Sequence, residues 1–348
     1  MRKIRVGILG ATGNVGQRFV QLLAGHPWFD VAYLCASERS AGQAYKNVVN
    51  WKVSPDIPKN LSAVIVRQCE PDFDASVVFS AIDSSVAGPI EEAFAKKGYV
   101  VISNNKNHRM DSDVPLLIPE VNPEHLSLIP TQKKRWGGKG FIVTNPNCTT
   151  IGLTMALKPL HDAFGITDVM VTTMQALSGA GYPGVPSLDA IDNVVPYIGD
   201  EEEKIESEPL KLLGSYTKGQ INNATFAISA SCNRVAVRDG HLESVTVGFE
   251  KKPSVDEVVS AFRNFQASPQ KLKLPSAPLS PITVRLEKDR PQPVLDREAS
   301  NGMAISIGRV RSSSILDMKF SLLVHNTIRG AAGAAILNAE LMHAKKLI

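Results

Sequence analysis

The sequence predicts an α/β protein in two parts, a doubly wound parallel sheet followed by an open α+β layer. Three observations carry this. A short apolar strand at 4–9 runs into glycines at every third position, Gly7, Gly10, Gly13 and Gly16. Strand-like and helix-like stretches then alternate to about residue 144, the pattern of a parallel sheet with helices on its faces. From residue 148 onward the texture changes to long β-like runs separated by helical stretches. A chain of 348 residues is also long for one hydrophobic core, which agrees with two domains.

Taken in order, the strand at 4–9 ends in Gly10-Ala-Thr-Gly13-Asn-Val-Gly16, and a helix follows over about 14–23. A strand, a glycine turn and a helix N-terminus are the setting a dinucleotide pyrophosphate needs, with close backbone approach and free N–H donors. This makes the first part a Rossmann-type domain, with Gly10, Thr12, Gly13, Asn14 and Val15 as candidate cofactor contacts. The second strand, 31–36, ends in Ser37-Glu38-Arg39-Ser40, where such folds meet the adenosine ribose. Glu38 suits a 2′-hydroxyl and hence NAD; Arg39, between two hydroxyls, suits a 2′-phosphate and hence NADP. The reading adopted is NADP, with NAD left open. Strands are expected at 63–66, 77–81 and 100–103, with a helix around 90–97. The polar run Asn104 to Arg109 follows a strand's carboxyl end, the side on which these sheets bind ligands, and Arg109 is a candidate for an anion.

The strand at 141–144 turns through Asn145-Pro146-Asn147 into Cys148, where a helix over 149–163 begins. Unpaired N–H groups and the positive end of the macrodipole are expected to lower that thiol's pKa and expose a nucleophilic thiolate. In the second part, β-like runs fall at 168–175, 226–231, 244–250, 304–310 and 315–324, with helices at 201–213 and 254–265. Arg234 and His241 flank an Asp239-Gly240 turn, and His suits proton transfer near pH 7. Glu208 and Lys211 stand at i, i+3, and Pro209 between them places the start of the helix proper there. Residues 275–281 read as an extended connector, and a last helix over about 327–345 opens with small residues that permit packing against the nucleotide domain.

Composition narrows the classes. Hydrophobic residues at 43% and charged residues at 21% are ordinary for a soluble enzyme, and a net charge of +4 is too mild to argue for nucleic acid. The four cysteines show no paired spacing for a disulfide framework or a metal, and no leader or membrane span is read. The expectation is a cytoplasmic protein with free thiols and no metal.

The chain resembles the aspartate-β-semialdehyde dehydrogenase family from first strand to last helix. The resemblance rests on the glycine turn, Asn145-Pro-Asn-Cys148-Thr-Thr, Gln175 with Ser178-Gly-Ala-Gly181, Glu208-Pro-Leu-Lys211, the stretch from Arg234 to His241, and Asn326-Thr-Ile-Arg329-Gly-Ala-Ala-Gly333. Length and the run Pro115 to Asn122 resemble the archaeal and fungal branch. The resemblance implies that Cys148 attacks L-4-aspartyl phosphate, that phosphate leaves, and that NADPH reduces the thioester to aspartate semialdehyde. It implies His241 as acid/base and Gln175 as the orienting residue. Arg234 would take the substrate carboxylate, Glu208 its ammonium, and Lys211 and Arg109 its phosphate, with Asn147 beside the nucleophile. Ser37, Arg39 and Ser40 would hold the 2′-phosphate; Ser178, Gly179, Gly181 and Asn326 would lie near the nicotinamide. A homodimer or homotetramer is implied, and a place in lysine, threonine and methionine synthesis. The expected domains are 1–147 completed by 326–348, for the dinucleotide, and 148–325, for catalysis and dimerisation. The nearest alternative is reduction of malonyl-CoA; a more distant one is a nucleotide-binding protein without catalysis.

Overall fold

The chain, seen in a computed structural model that describes residues 2–348, forms two sheets joined by the helix that begins at Cys148. Strands β1 (Ile4–Leu9), β2 (Phe29–Cys35), β3 (Val77–Ser80), β4 (Val100–Ser103) and β5 (Phe141–Thr144) make a parallel sheet in the order β2-β1-β3-β4-β5. Every residue of β3, β4 and β5 is buried. Their uninterrupted Val, Ile and Phe runs are what a strand covered on both faces requires. The glycine-turn helix, Asn14–Leu23, lies between β1 and β2 and points its N-terminus at the carboxyl edge of the sheet. A Cβ on Gly16 would sit 2.1 Å from the Gly10 carbonyl oxygen, so only glycine lets the helix approach the strand this closely.

The strand expected at 63–66 is not a regular strand. Arg67 pairs with β2 through a single parallel bridge at Cys35, while Ile65 turns to bridge Ala44. The segment divides its backbone hydrogen bonds between two neighbours, and no continuous ladder forms. The bridge at Arg67 lies on the edge of β2 away from β1. Counting it, the order becomes 3-2-1-4-5-6, that of dinucleotide-binding sheets.

The second sheet is mixed and six-stranded, in the order β11-β12-β13-β10-β6-β9. Its members are β6 (Ile166–Gln175), β9 (Ala227–Arg234), β10 (His241–Phe249), β11 (Ile282–Arg285), β12 (Ile305–Ser312) and β13 (Met318–Val324), while β7 (Ser215–Thr217) and β8 (Gln220–Asn222) form a separate hairpin. That hairpin and β11 were not anticipated, because three or four residues give too short a period to recognise. Alternation sets the faces: Val169, Val171, Thr173 and Gln175 of β6 are buried, while Met170, Thr172 and Ser244 lie on the exposed side. The cysteine helix, Cys148–Phe164, covers the buried face with Ile151, Met155 and Leu160.

Pro209 does not start a helix. It lies inside the helix Glu201–Leu212, whose first turn is acidic as the macrodipole prefers. A proline deletes one N–H, and tertiary packing of buried Ile205 and Leu212 holds the helix through it.

The last helix returns to the first sheet as expected. A π turn at Ile328–Ala332 leads into Gly333–Ala344, and Ile336, Leu337, Leu341 and Met342 join Val6, Phe19 and Phe79 in one core. Two polar clasps fix it. Arg329 donates from Nη1 and Nη2 to both carboxylate oxygens of Glu120, at 3.0 and 2.6 Å, with both side chains fully buried. Asn145 donates to the Ala331 carbonyl at 2.9 Å, tying this helix to the turn before Cys148.

Candidate active site

Strand register assembles the site. Arg234 of β9 pairs with Gln175 of β6. Leu242 of β10 faces Met174, so His241, one residue earlier, comes level with Gln175. Arg234, Gln175 and His241 therefore form a transverse row at the end of three adjacent strands, all on the buried face. The N-terminus of the cysteine helix sits over this row, and Cys148 Sγ lies 3.2 Å from His241 Nε2. Arg234 donates to the Ala176 carbonyl at 2.7 Å. Gly179 closes over the row: a Cβ there would meet Arg234 Nη1 at 2.9 Å and His241 Cε1 at 3.1 Å.

The thiol does not behave as expected from the helix end alone. Burial comes first and pushes the Cys148 thiol up to about 12; the negative charge of Glu201 adds to this, while Arg109, Arg234 and a hydrogen bond from the Thr149 amide pull the other way. A macrodipole is worth about 0.3–1 kcal/mol at an exposed site, less than the several pKa units that burial can impose. Burial likewise holds His241 down to about 3, with the positive charges of Arg234 and His325 in the same direction.

Two of the cavities along the carboxyl edge of the first sheet hold most of the residues read as cofactor contacts. One of about 450 Å³ is bounded by Gly10, Thr12, Gly13, Ser37 and Glu38, between β1, β2 and β3. One of about 220 Å³ brings Asn14 and Val15 together with Cys148, Asn147, Arg109, Ser178, Gly179, Gly181 and Asn326. The N-terminus of the glycine-turn helix stands between them without a side-chain cap, leaving N–H donors for a pyrophosphate. Ser40 is half-buried and Arg39 is exposed beside the first cavity without lining it. Asn326 braces the second: Nδ2 donates to Ser178 Oγ at 2.8 Å and Oδ1 accepts from the Gly240 amide at 2.8 Å.

Three residues read as ligands for the substrate are held otherwise. Lys211 Nζ donates to the backbone carbonyls of Arg109, Asp111 and Val114 at 2.7, 2.8 and 3.0 Å, so all three of its protons are taken. Glu208 accepts from Arg109 Nη1 at 2.9 Å and from the Asn147 amide at 2.7 Å. Asn147 caps the cysteine helix through Oδ1 and donates from Nδ2 to both oxygens of Glu201, at 2.9 and 3.0 Å. These side chains position the Arg109 loop and the Cys148 turn.

Glu201 and Lys204 were missed. They carry the same i, i+3 spacing as Glu208 and Lys211, seven residues earlier. Seven residues are nearly two helical turns, so both pairs share a face. Lys204 Nζ bonds Glu201 Oε1 at 3.0 Å and keeps a fifth of its side chain exposed. A second Glu-x-x-Lys on one helix was the available signal.

Two family descriptions match most of the chain: "Semialdehyde dehydrogenase, NAD binding domain" over residues 5–129, and "Semialdehyde dehydrogenase, dimerisation domain" over 157–329. The aspartate-semialdehyde dehydrogenase of Archaeoglobus fulgidus is 54% identical over 344 residues, spanning 99% of both chains. That of Methanothermobacter thermautotrophicus is 51% identical, spanning 98% of this chain and 99% of its own. The chain belongs to the aspartate-semialdehyde dehydrogenase family. A crystal structure of the Candida albicans family member with NADP superposes over the whole of both chains, with a TM-score of 0.92 at 43% identity. As a member of this family the protein is an oxidoreductase that uses a nicotinamide dinucleotide. The likeness to archaeal and fungal members agrees with the branch read from the sequence.

Proposed function

We propose that this protein catalyses NADPH-dependent reductive dephosphorylation of L-4-aspartyl phosphate to aspartate semialdehyde, serving lysine, threonine and methionine synthesis. The observation that carries it is the convergence of Cys148, His241, Gln175 and Arg234 at the end of a cavity that also contains the glycine-turn helix. Cys148 attacks the acyl carbon, and phosphate leaves from the tetrahedral adduct. The bound dinucleotide supplies the hydride that reduces the thioester. Gln175 orients the reacting group, and His241 serves as its acid/base. Arg234 pairs with the α-carboxylate through its fork geometry.

For the other two charged groups we assign Glu201 to the ammonium, and Arg109 with Lys204 to the phosphate. Glu201 acts on Cys148 through its charge and is the less buried of the two carboxylates, with 11% of its side chain exposed against 3% for Glu208; Lys204 has protons free, whereas all three of Lys211 are taken by the scaffold. Malonyl-CoA has no ammonium, so a carboxylate held this close to the nucleophile favours the aspartyl substrate. Glu201→Gln is then expected to raise KM for aspartate semialdehyde about tenfold, the worth of one charged hydrogen bond of roughly 1.5 kcal/mol. Glu208→Gln, by contrast, should lower Tm more than it raises KM. Thermal melts and steady-state kinetics on both variants separate the two roles; equal KM effects would sink the assignment.

NADP is preferred on the strength of Arg39, which is exposed and with Ser40 directly follows Ser37 and Glu38 of the adenosine cavity. Arg39→Ala should raise KM for NADPH about tenfold or more and leave that for NADH nearly unchanged. The deciding assay is oxidation of aspartate semialdehyde with NADP, with and without phosphate, repeated with NAD. Oxidation that is indifferent to phosphate would refute the phosphorylating reaction.

Residues 1–147 with 326–348 act in this reading as the dinucleotide unit and 148–325 as the catalytic one. The exposed face of the second sheet, with Met170 half exposed, suits contact with a second copy in a homodimer or dimer of dimers. No helix among the described residues is long and apolar enough to cross a membrane, and the cytoplasm is the compartment we assign.

A further inference from the structure

The second sheet ends at β11 and β12, and a cavity of about 410 Å³ opens there between these strands and the helix Val255–Arg263. It shares no lining residue with the cavities that hold the cofactor contacts and Cys148. Arg263, Lys288, Arg309 and Arg311 line it, and none of them makes an ion pair among the described residues. A fifth cation, Arg285, is answered by Asp296 at 2.8 Å. Asp256 and Glu287 also reach the cavity, and neither pairs with these cations. We propose that this recess is a second ligand site, for a small multiply charged anion of the phosphate class, held by Arg309 and Arg311 with Arg263 and Lys288 at its rim.

The backbone of β12 brings the two arginines together. Its register with β13 runs from Gly308 opposite Ser321 to Arg311 opposite Lys319, three steps against two, so one extra residue bulges out. Arg309 sits in that bulge at φ +57°, in the left-handed region that disfavours any residue but glycine. Its guanidinium donates to the Lys288 carbonyl, and Arg311 Nη1 donates to the Arg309 carbonyl at 2.5 Å, so both head groups meet neutral acceptors. Burial, and after it the charge of Arg309, lower the Arg311 pKa. Lys319 stands directly across the ladder from Arg311, and like charges so placed destabilise a sheet. Three costs to stability therefore fall on one short stretch: a left-handed arginine, a neighbouring guanidinium and a facing lysine. An anion offsets the two electrostatic ones. The guanidinium fork matches phosphate oxygens in pairs, and Val255, Val259, Val284 and Val310 give the recess low-dielectric walls that focus the field.

Pyrophosphate is the probe, titrated calorimetrically at low ionic strength into protein saturated with NADP, so that the dinucleotide site is filled. Wild type should show a binding event that the double variant Arg309→Gln, Arg311→Gln weakens about tenfold or more, the worth of one charged hydrogen bond. Both residues lie outside the cavity that contains Cys148, so kcat should be unchanged. Equal pyrophosphate affinity in the two proteins, or none in wild type, overturns the proposal. Arg309→Gly supplies a second measurement, since glycine accepts the left-handed backbone and one of the two guanidiniums is removed. It should raise Tm by about 1 °C or more without pyrophosphate, and it should shrink the rise in Tm that pyrophosphate gives wild type. A variant that melts below wild type, yet is stabilised by pyrophosphate just as well, would assign Arg309 to the fold and refute the site.

Discussion

Cys148→Ser is expected to lower kcat by about 10⁴-fold or more while leaving NADPH affinity unchanged. The hydroxyl is a far weaker nucleophile than sulfur, and nothing in the site compensates. Any ester formed would also be a poorer hydride acceptor than a thioester. The cavity at the glycine turn, between β1, β2 and β3, does not include Cys148; the substitution changes one atom of the second cavity only. Fluorescence titration with NADPH and single-turnover kinetics check both halves. A variant that keeps a tenth of its activity would remove Cys148 from the role of nucleophile, and one that also loses NADPH binding would show a structural role instead.

Arg329→Met is expected to destabilise the protein by about 3–5 kcal/mol, because it strands the Glu120 carboxylate in a fully buried position. The bidentate pair joins the π turn of the last helix to the segment that precedes β5. For a chain of this size the fall in Tm is about 4–7 °C. The double variant Arg329→Met, Glu120→Leu should recover part of the loss, since removing both charges also removes the stranded one. Calorimetry on the single and double variants is the check. A single variant within about 1 kcal/mol of wild type would show that water reaches the pair. Because Gly330 follows directly and packs on Cys148, its Cα within one methyl of the Cys148 side chain, the same substitution should also depress turnover at temperatures well below the melt.

The sequence by itself determined the local features. The glycine spacing, the helix at Asn14–Leu23, the β-α alternation and the cysteine at a helix start all depend on neighbours within a turn or a strand, and each stands where it was read. The motifs that revealed the family are likewise local runs of residues. What only the tertiary structure decided depends on partners distant in sequence. The segment around Ile65 has the composition of a strand, but its backbone bonds are divided between Gln43 and β2. Pro209 would end an isolated helix, but packed residues on either side hold it. Glu201-Lys204 and Glu208-Lys211 are alike in spacing; the difference is that three carbonyls of the 109–114 loop, about a hundred residues away in the chain, occupy Lys211. The Cys148 thiol shows the same division. Its position at a helix N-terminus argued for a lowered pKa, but burial and the charge of Glu201 set the opposite sign, because desolvation is a property of the folded surroundings and outweighs the dipole of one helix.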